Sequence, residues 1–260
     1  MAPTLFIVPG LWEGPGAFQP LVEELRESGH AKTFTATLVS TGHHSLSGSS
    51  PSMDDDTAAV AADLARIVEE AGDDGVVALL HSAGGFLGSG AMRGLTAAAR
   101  QKENRNGGVQ KIIFLCAAAV PEGFEHQPLP FFDIDVSCQL SHGTRILTRP
   151  QEDKGTNMCK DPLNGLFNDL PLQLAKEWNS KMEIQPARGW DGTVTYCGWR
   201  EVPSVYILAE RDALLPVQLQ THFAETAGSK IVKIDGGHMV QLSRTKELAG
   251  IVGQVLDGGL

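Results

Sequence analysis

The stretch Val76-Val77-Ala78-Leu79-Leu80-His81-Ser82-Ala83-Gly84-Gly85 constrains this chain more than any other. A strand that is apolar at consecutive positions has to be covered on both faces. Here the apolar run breaks at His81-Ser82, crosses small residues, and continues into a helix-compatible segment over residues 86–92. A serine pinned between a buried strand and a helix on a glycine-lined turn is expected to sit in a strained backbone conformation, with its hydroxyl raised above the sheet. Gly84 has no Cβ, so the following helix can approach closely. The position two before the serine, often glycine in such turns, is Leu80. The plainer alternative is a serine that only caps a helix N-terminus, and its partners elsewhere in the chain decide between the two.

The rest of the chain alternates in the same manner. Thr4-Leu5-Phe6-Ile7-Val8 reads as a first strand ending at Pro9-Gly10, followed by an amphipathic helix over residues 17–25 that stops near Gly29. Residues 33–39 read as a second strand, then a polar loop runs to Pro51 and carries His43-His44 without an acidic or cysteine partner nearby. Residues 54–70 read as a helix, with acids at its start and Val60, Leu64, Ile67 and Val68 on one face. Residues 100–108 look like a surface excursion, 109–117 a buried strand, 203–209 and 230–234 two further strands, and 243–256 a closing helix. Strands alternating with helices imply an α/β fold, a doubly wound and mostly parallel sheet with right-handed crossovers. Residues 121–200 change character, with the proline-rich and aromatic segment at 128–132, a helix near 172–182, and Trp178, Trp190 and Trp199. This stretch is expected to form a helical cap inserted over a core made of residues 1–120 and 201–260.

Composition narrows the partners. A net charge of -10 argues against nucleic acid or an anionic membrane surface. The four cysteines, Cys116, Cys138, Cys159 and Cys197, show no CxxC pair and no zinc-like spacing with histidine. No secretion signal and no membrane-length apolar run is visible, so a soluble cytoplasmic protein is the default expectation.

Ligands of open α/β sheets gather beyond the carboxyl ends of the strands. Four features fall there: Gly10-Leu11, Ser82, Asp212 and His238. Acyl transfer uses this set, with Ser82 as nucleophile, His238 as base and then acid, and Asp212 fixing the imidazole tautomer. Backbone N–H groups of Leu11 and Ala83 are placed to hold a developing oxyanion. The chain order Ser, Asp, His is the one expected for this topology. Asp235 is a rival acid, but it directly precedes the histidine loop and reads as a turn residue.

The motifs Val8-Pro9-Gly10-Leu11-Trp12, His81-Ser82-Ala83-Gly84-Gly85, Asn168-Asp169-Leu170-Pro171, Glu210-Arg211-Asp212 with Pro216, and Gly237-His238 through Leu242-Ser243-Arg244 together resemble an α/β-hydrolase over the whole length. More narrowly, the chain is similar to small fungal-type esterase-like proteins related to the plant methyl esterases and hydroxynitrile lyases. The lyases of that group carry lysine after the catalytic histidine, whereas this chain has Met239, as the esterases do. The family's usual His-Gly before the oxyanion loop is Pro9-Gly10 here.

The resemblance implies a serine hydrolase acting on an ester, lactone or thioester of a small apolar metabolite of polyketide-like kind, and implies no metal or organic cofactor. The alternative on the same scaffold is a non-hydrolytic lyase or cyclase using His238 as general base. Trp12, His81 and Met239 adjoin the candidate site and are substrate-binding candidates, while Trp178 is expected to pack within the cap. The substrate is expected to be uncharged. The sequence is compatible with a homodimer.

Overall fold

The computed structural model describes residues 2–43, 50–126, 149–151, 156–159, 161–186, 189–190 and 192–260. Six strands form one parallel sheet: β1 (Thr4–Val8), β2 (Thr33–Thr35), β3 (Val76–His81), β4 (Val109–Leu115), β8 (Ser204–Ala209) and β9 (Lys230–Ile234). Their order across the sheet is β2-β1-β3-β4-β8-β9. The hydrophobic runs are therefore central. Every residue of β3 is buried, with β1 and β4 hydrogen-bonded on either side.

The pleat sends alternate residues to two separate cores. On one face Phe6, Val8, Ala78, Leu80, Ile112 and Phe114 meet helices α2 (Met53–Ala71), α3 (Gly84–Gly90) and α6 (Val217–Thr226). On the other, Leu5, Ile7, Val77, Leu79, Ile113 and Leu115 meet α1 (Gln19–Glu27) and α8 (Thr245–Leu256). Helix α2 starts with a capping box between Ser52 and Asp55, and its buried stripe contains Val60, Leu64, Ile67 and Val68. This is the three-layer arrangement that the sequence implies.

Several details differ from expectation. Strand β2 stops at Thr35 instead of continuing to residue 39. Among the described residues it is an edge strand paired only with β1, and after the bond from Ala36 N to Ile7 O the next partner is Pro9, which has no N–H to continue the ladder. Within 100–108 the chain is not wholly a surface excursion. Helix α4 (Ala97–Lys102) extends into it, and Arg100 is buried, donating to the Asn106 carbonyl and to Glu69. The closing helix is split, with a short turn α7 (Val240–Ser243) before α8.

The stretch expected to be a helical cap is mixed among the described residues. It holds helix α5 (Leu172–Asn179) and an antiparallel sheet of β5 (Arg149–Gln151), β6 (Thr156–Met158) and β7 (Gln185–Pro186). The aromatic segment at 128–132, His44 and Cys138 lie outside the described residues. His43 is exposed. No helix among the described residues is long and apolar enough to cross a membrane.

Candidate active site

The loops after β1, β3, β8 and β9 converge at the carboxyl edge of the sheet. Ser82 follows β3 directly, with φ of 52°, in the left-handed region that side chains rarely adopt. Three hydrogen bonds hold it there: its N–H donates to Leu115 O at 3.3 Å, and its carbonyl accepts from Ala118 N at 3.0 Å and Gly85 N at 3.1 Å. Its neighbours His81 and Ala83 are buried, whereas Ser82 itself is half-buried.

Two close approaches explain the small residues around it. A Cβ on Gly84 would lie 2.5 Å from Val8 O and 2.6 Å from Pro9 O, so only glycine lets α3 start against the end of β1. A Cβ on Gly10 would lie 2.6 Å from Ser82 Cβ and 3.1 Å from Ser82 Oγ. The Gly10-Leu11 backbone is thus pressed against the serine from the neighbouring loop, which brings the Leu11 and Ala83 segments together around Ser82.

His238 and Asp212 arrive from the other half of the sheet. His238 Nδ1 lies 2.8 Å from Asp212 Oδ2, and both side chains are almost wholly buried. The second oxygen of Asp212 accepts the N–H groups of Leu214 and Leu215, each at 2.8 Å. The carboxylate therefore ties its own loop and points one oxygen at the imidazole. With a proton on Nδ1 facing Asp212, the Nε2 lone pair is left to act as a base. Asp235 takes no part in this: it is exposed and pairs with Arg211 at 2.6 Å.

His81 corrects a sequence expectation. As a substrate-binding candidate it should present a polar atom to the site, yet it is fully buried and both ring nitrogens are engaged. Nδ1 faces the Glu13 carboxylate, with Oε2 at 3.1 Å and Oε1 at 2.9 Å, and Nε2 lies 3.0 Å from the His238 carbonyl. The reason is its place as the last residue of β3, facing inward while the chain turns at Ser82. Carboxylate and carbonyl both accept, so satisfying them takes a proton on each nitrogen. Burial works against that charge, but the attraction and hydrogen bond of Glu13, with the His238 carbonyl, outweigh it and raise the His81 pKa.

Glu13, itself buried, and Gln241, whose Nε2 lies 3.4 Å from Glu13 Oε2, are participants that the sequence reading missed. A lone acid in a glycine-rich loop carries no sign of burial. Glu13, His81 and His238 place ligand-type atoms within 4.8 Å of one another, a spacing open to a metal ion. Both His81 nitrogens are already bonded, so the three act here as a hydrogen-bonded cluster.

Trp12, with φ of 65°, and Met239 are buried and line a cavity of about 290 Å³ together with Leu166, Phe167, Trp178 and Met182. Exposed Lys181 and Glu183 stand at its edge. Trp178 thus both packs in the cap and contributes to the cavity wall, with Lys181 Nζ 4.3 Å from its ring centre. A larger open depression of about 570 Å³ between α1 and the Ser243–Glu247 stretch is lined by Glu23, Glu24 and Glu27 and by none of the convergent loop residues. It has no geometric tie to Ser82.

Comparisons with known proteins agree with this fold. A model of the alpha/beta hydrolase family matches residues 5–251. The alpha/beta hydrolase nvfD of Aspergillus novofumigatus is 28% identical over 247 residues, spanning 94% of this chain and 92% of that protein. Among solved structures, polyneuridine aldehyde esterase superposes with a TM-score of 0.70 at 18% identity, covering 97% of this chain and 99% of that one. An extracellular alpha/beta-hydrolase from a Paenibacillus species, described as homologous in structure and function to tobacco salicylic acid binding protein 2, gives 0.70 at 19% identity over 97% and 98% of the two chains. With the family model spanning nearly the full length, the chain belongs to the alpha/beta hydrolase family.

Proposed function

We propose that the protein is a serine hydrolase that cleaves an uncharged ester, lactone or thioester through an acyl-enzyme on Ser82. The observation that carries this reading is the left-handed backbone at Ser82, directly after His81, whose ring lies 4.9 Å from an imidazole already bound by Asp212. A strained residue of this kind persists only where the surroundings over-determine it, and the three backbone bonds at Ser82 do so.

Ser82 Oγ attacks the substrate carbonyl carbon while its proton passes to His238 Nε2. The negative charge moves to the carbonyl oxygen, which the N–H groups of Leu11 and Ala83 receive. Collapse breaks the bond to the alkoxide or thiolate, and His238 returns the proton to that leaving group. Water then attacks the acyl carbon with His238 again accepting the proton, the acid departs, and Ser82 recovers its hydrogen. Asp212 stays ionised and stabilises the imidazolium at each passage.

The aromatic and apolar cavity beside the Leu11-Trp12 loop favours a neutral, apolar group on the substrate. Trp12 and Met239, which line the cavity, adjoin Leu11 and His238 in the chain, and this adjacency is what links the cavity to the reacting groups.

The test pairs the protein with its Ser82→Ala variant, using a fluorophosphonate probe and a panel of aryl esters and lactones in water enriched in heavy oxygen. Labelling, turnover and label incorporation into the acid product are all expected in the protein and absent in the variant. Turnover without incorporation of solvent oxygen would replace hydrolysis with lyase or cyclase chemistry. Full hydrolysis by the Ser82→Ala variant would overturn the proposal.

A further inference from the structure

We infer that Asn168 and Asp169, in the segment leading into α5, are positioning residues that hold the acid loop and the base loop in catalytic register. The inference rests on the triad reading above and adds residues that never touch the substrate.

The two side chains reach the residues immediately before Asp212 and His238. Asp169 Oδ2 accepts the backbone N–H of Gly237 at 2.7 Å, one residue before His238. Asn168 Nδ2 donates to the carbonyl of Arg211 at 2.7 Å, one residue before Asp212. The same two loops are joined directly by Arg211 N to Gly236 O at 2.9 Å, and the Arg211 guanidinium binds Asp235. The fit is close: a Cβ on Gly237 would stand 2.4 Å from Asn168 Oδ1 and 2.6 Å from Asp169 Oδ1. Gly237 is glycine here because the latch occupies the space a side chain needs.

Asp169 is poorly served as a purely stabilising residue. Its side chain is 2% exposed, its Oδ1 has no hydrogen-bond partner among the described residues, and the Arg211 guanidinium lies 4.0 Å from Oδ2. A buried carboxylate so incompletely paired costs stability. What it gains is a fixed backbone beside His238. Leu166 and Phe167, directly before it, are buried in the core against α1 and α8, so the latch is anchored to the body of the protein. Seating of this segment and assembly of the acid–base pair become one event.

The decisive experiment compares Asp169→Ala, Asp169→Asn and Asn168→Ala with the unmodified protein. Three quantities are measured: kcat and KM on an aryl ester, the strongly deshielded proton of the His238–Asp212 hydrogen bond by NMR, and near-ultraviolet circular dichroism for the fold. Asp169→Ala is expected to lower kcat about 10- to 100-fold, as small misplacements of reacting groups do, with KM changed less than about threefold and the deshielded proton broadened or lost. Asp169→Asn keeps an oxygen acceptor for Gly237 N–H and is expected to rescue both.

A folded Asp169→Ala variant with unchanged kcat and an unchanged deshielded proton would overturn the latch. If that variant does not fold, Asn168→Ala, altered only at an exposed side chain, decides by the same readouts. If the unmodified protein hydrolyses no ester, the hydrolase reading fails by itself, while the deshielded proton still tests the latch.

Discussion

The two halves of the site are built by different means. The half that carries Ser82 is built by shape. Three of the four non-glycine residues with positive φ among the described residues, Trp12, Ser82 and Cys116, lie just beyond the carboxyl ends of β1, β3 and β4. Glycines at 10, 84 and 85 fill gaps where a Cβ would collide with a neighbour, at 2.6 Å, 2.5 Å and 2.6 Å. The half that carries Asp212 and His238 has no non-glycine residue with positive φ in its loops, and its one crowded glycine, Gly237, meets the Asn168 and Asp169 side chains. It is tied instead by side-chain hydrogen bonds, from Asp212 to its own loop and from Asn168 and Asp169 across both loops. A nucleophile has to be held in one strained pose, which close packing against backbone does well. An imidazole that takes up and returns a proton needs its orientation fixed through directional bonds. The first half is therefore vulnerable to added atoms, the second to lost partners.

The largest effect is expected where the bonded half loses its defining contact. Asp212→Asn keeps the size of the side chain but favours the wrong imidazole tautomer, and kcat is expected to fall about 10⁴-fold, with KM and melting temperature little changed. Steady-state kinetics check this. A fall below tenfold would show that the bond at 2.8 Å does not organise His238.

The shape-built half is broken by adding one methyl group. Gly10→Ala places a Cβ within 2.6 Å of Ser82 Cβ, so the Leu11 loop has to retreat. Moving one oxyanion donor away is expected to cost about 10²- to 10³-fold in kcat, and fluorophosphonate labelling should slow in parallel. Unchanged labelling would mean that this loop yields without consequence.

The smallest effect concerns the splice between the halves, where His81 at the end of β3 bonds the His238 carbonyl and Glu13. Removing the carboxylate charge with Glu13→Gln is expected to lower stability by about 2 kcal/mol, the value of a hydrogen bond to a charged group. The sign with pH follows from the raised His81 pKa. The folded protein holds the proton more tightly than the unfolded chain, so this stabilisation is complete below the ordinary histidine value of 6.5 and is lost as pH rises through the folded value. Melting temperatures of the two proteins across pH should converge on the alkaline side. A gap that widens there would reverse the assignment of charge to His81.

The shape-built half was the more legible in sequence. Apolar runs that end in Pro9-Gly10 and His81-Ser82 announce both a buried strand and a tight turn, because residue choice there is dictated by local sterics. Asp212 and His238 were legible as loop residues at strand ends in a particular order. The latch was not. Asn168-Asp169 stood out only as a motif, since the contacts to Arg211 and Gly237 span more than 40 residues and leave no local pattern. Burial of Glu13 was invisible for the same reason, and His81 was misread because a strand-end residue beside the nucleophile could face either way. The strands of the cap escaped notice because each is only two or three residues long, too short for alternation to show.

The thiols offer a clock for motions that catalysis hides. Cys116 and Cys197 are at most 1% exposed and Cys159 is 6% exposed, and none forms a disulfide. Burial pushes the Cys116 thiol well up and those of Cys159 and Cys197 to about 11, so none meets an alkylating reagent as thiolate in the closed protein. Reaction then reports opening. Cys159 sits beside β6 in the cap stretch and Cys116 at the end of β4 in the sheet. With Cys138 replaced by serine, the order in which the two are modified separates a cap that lifts from a sheet that unravels.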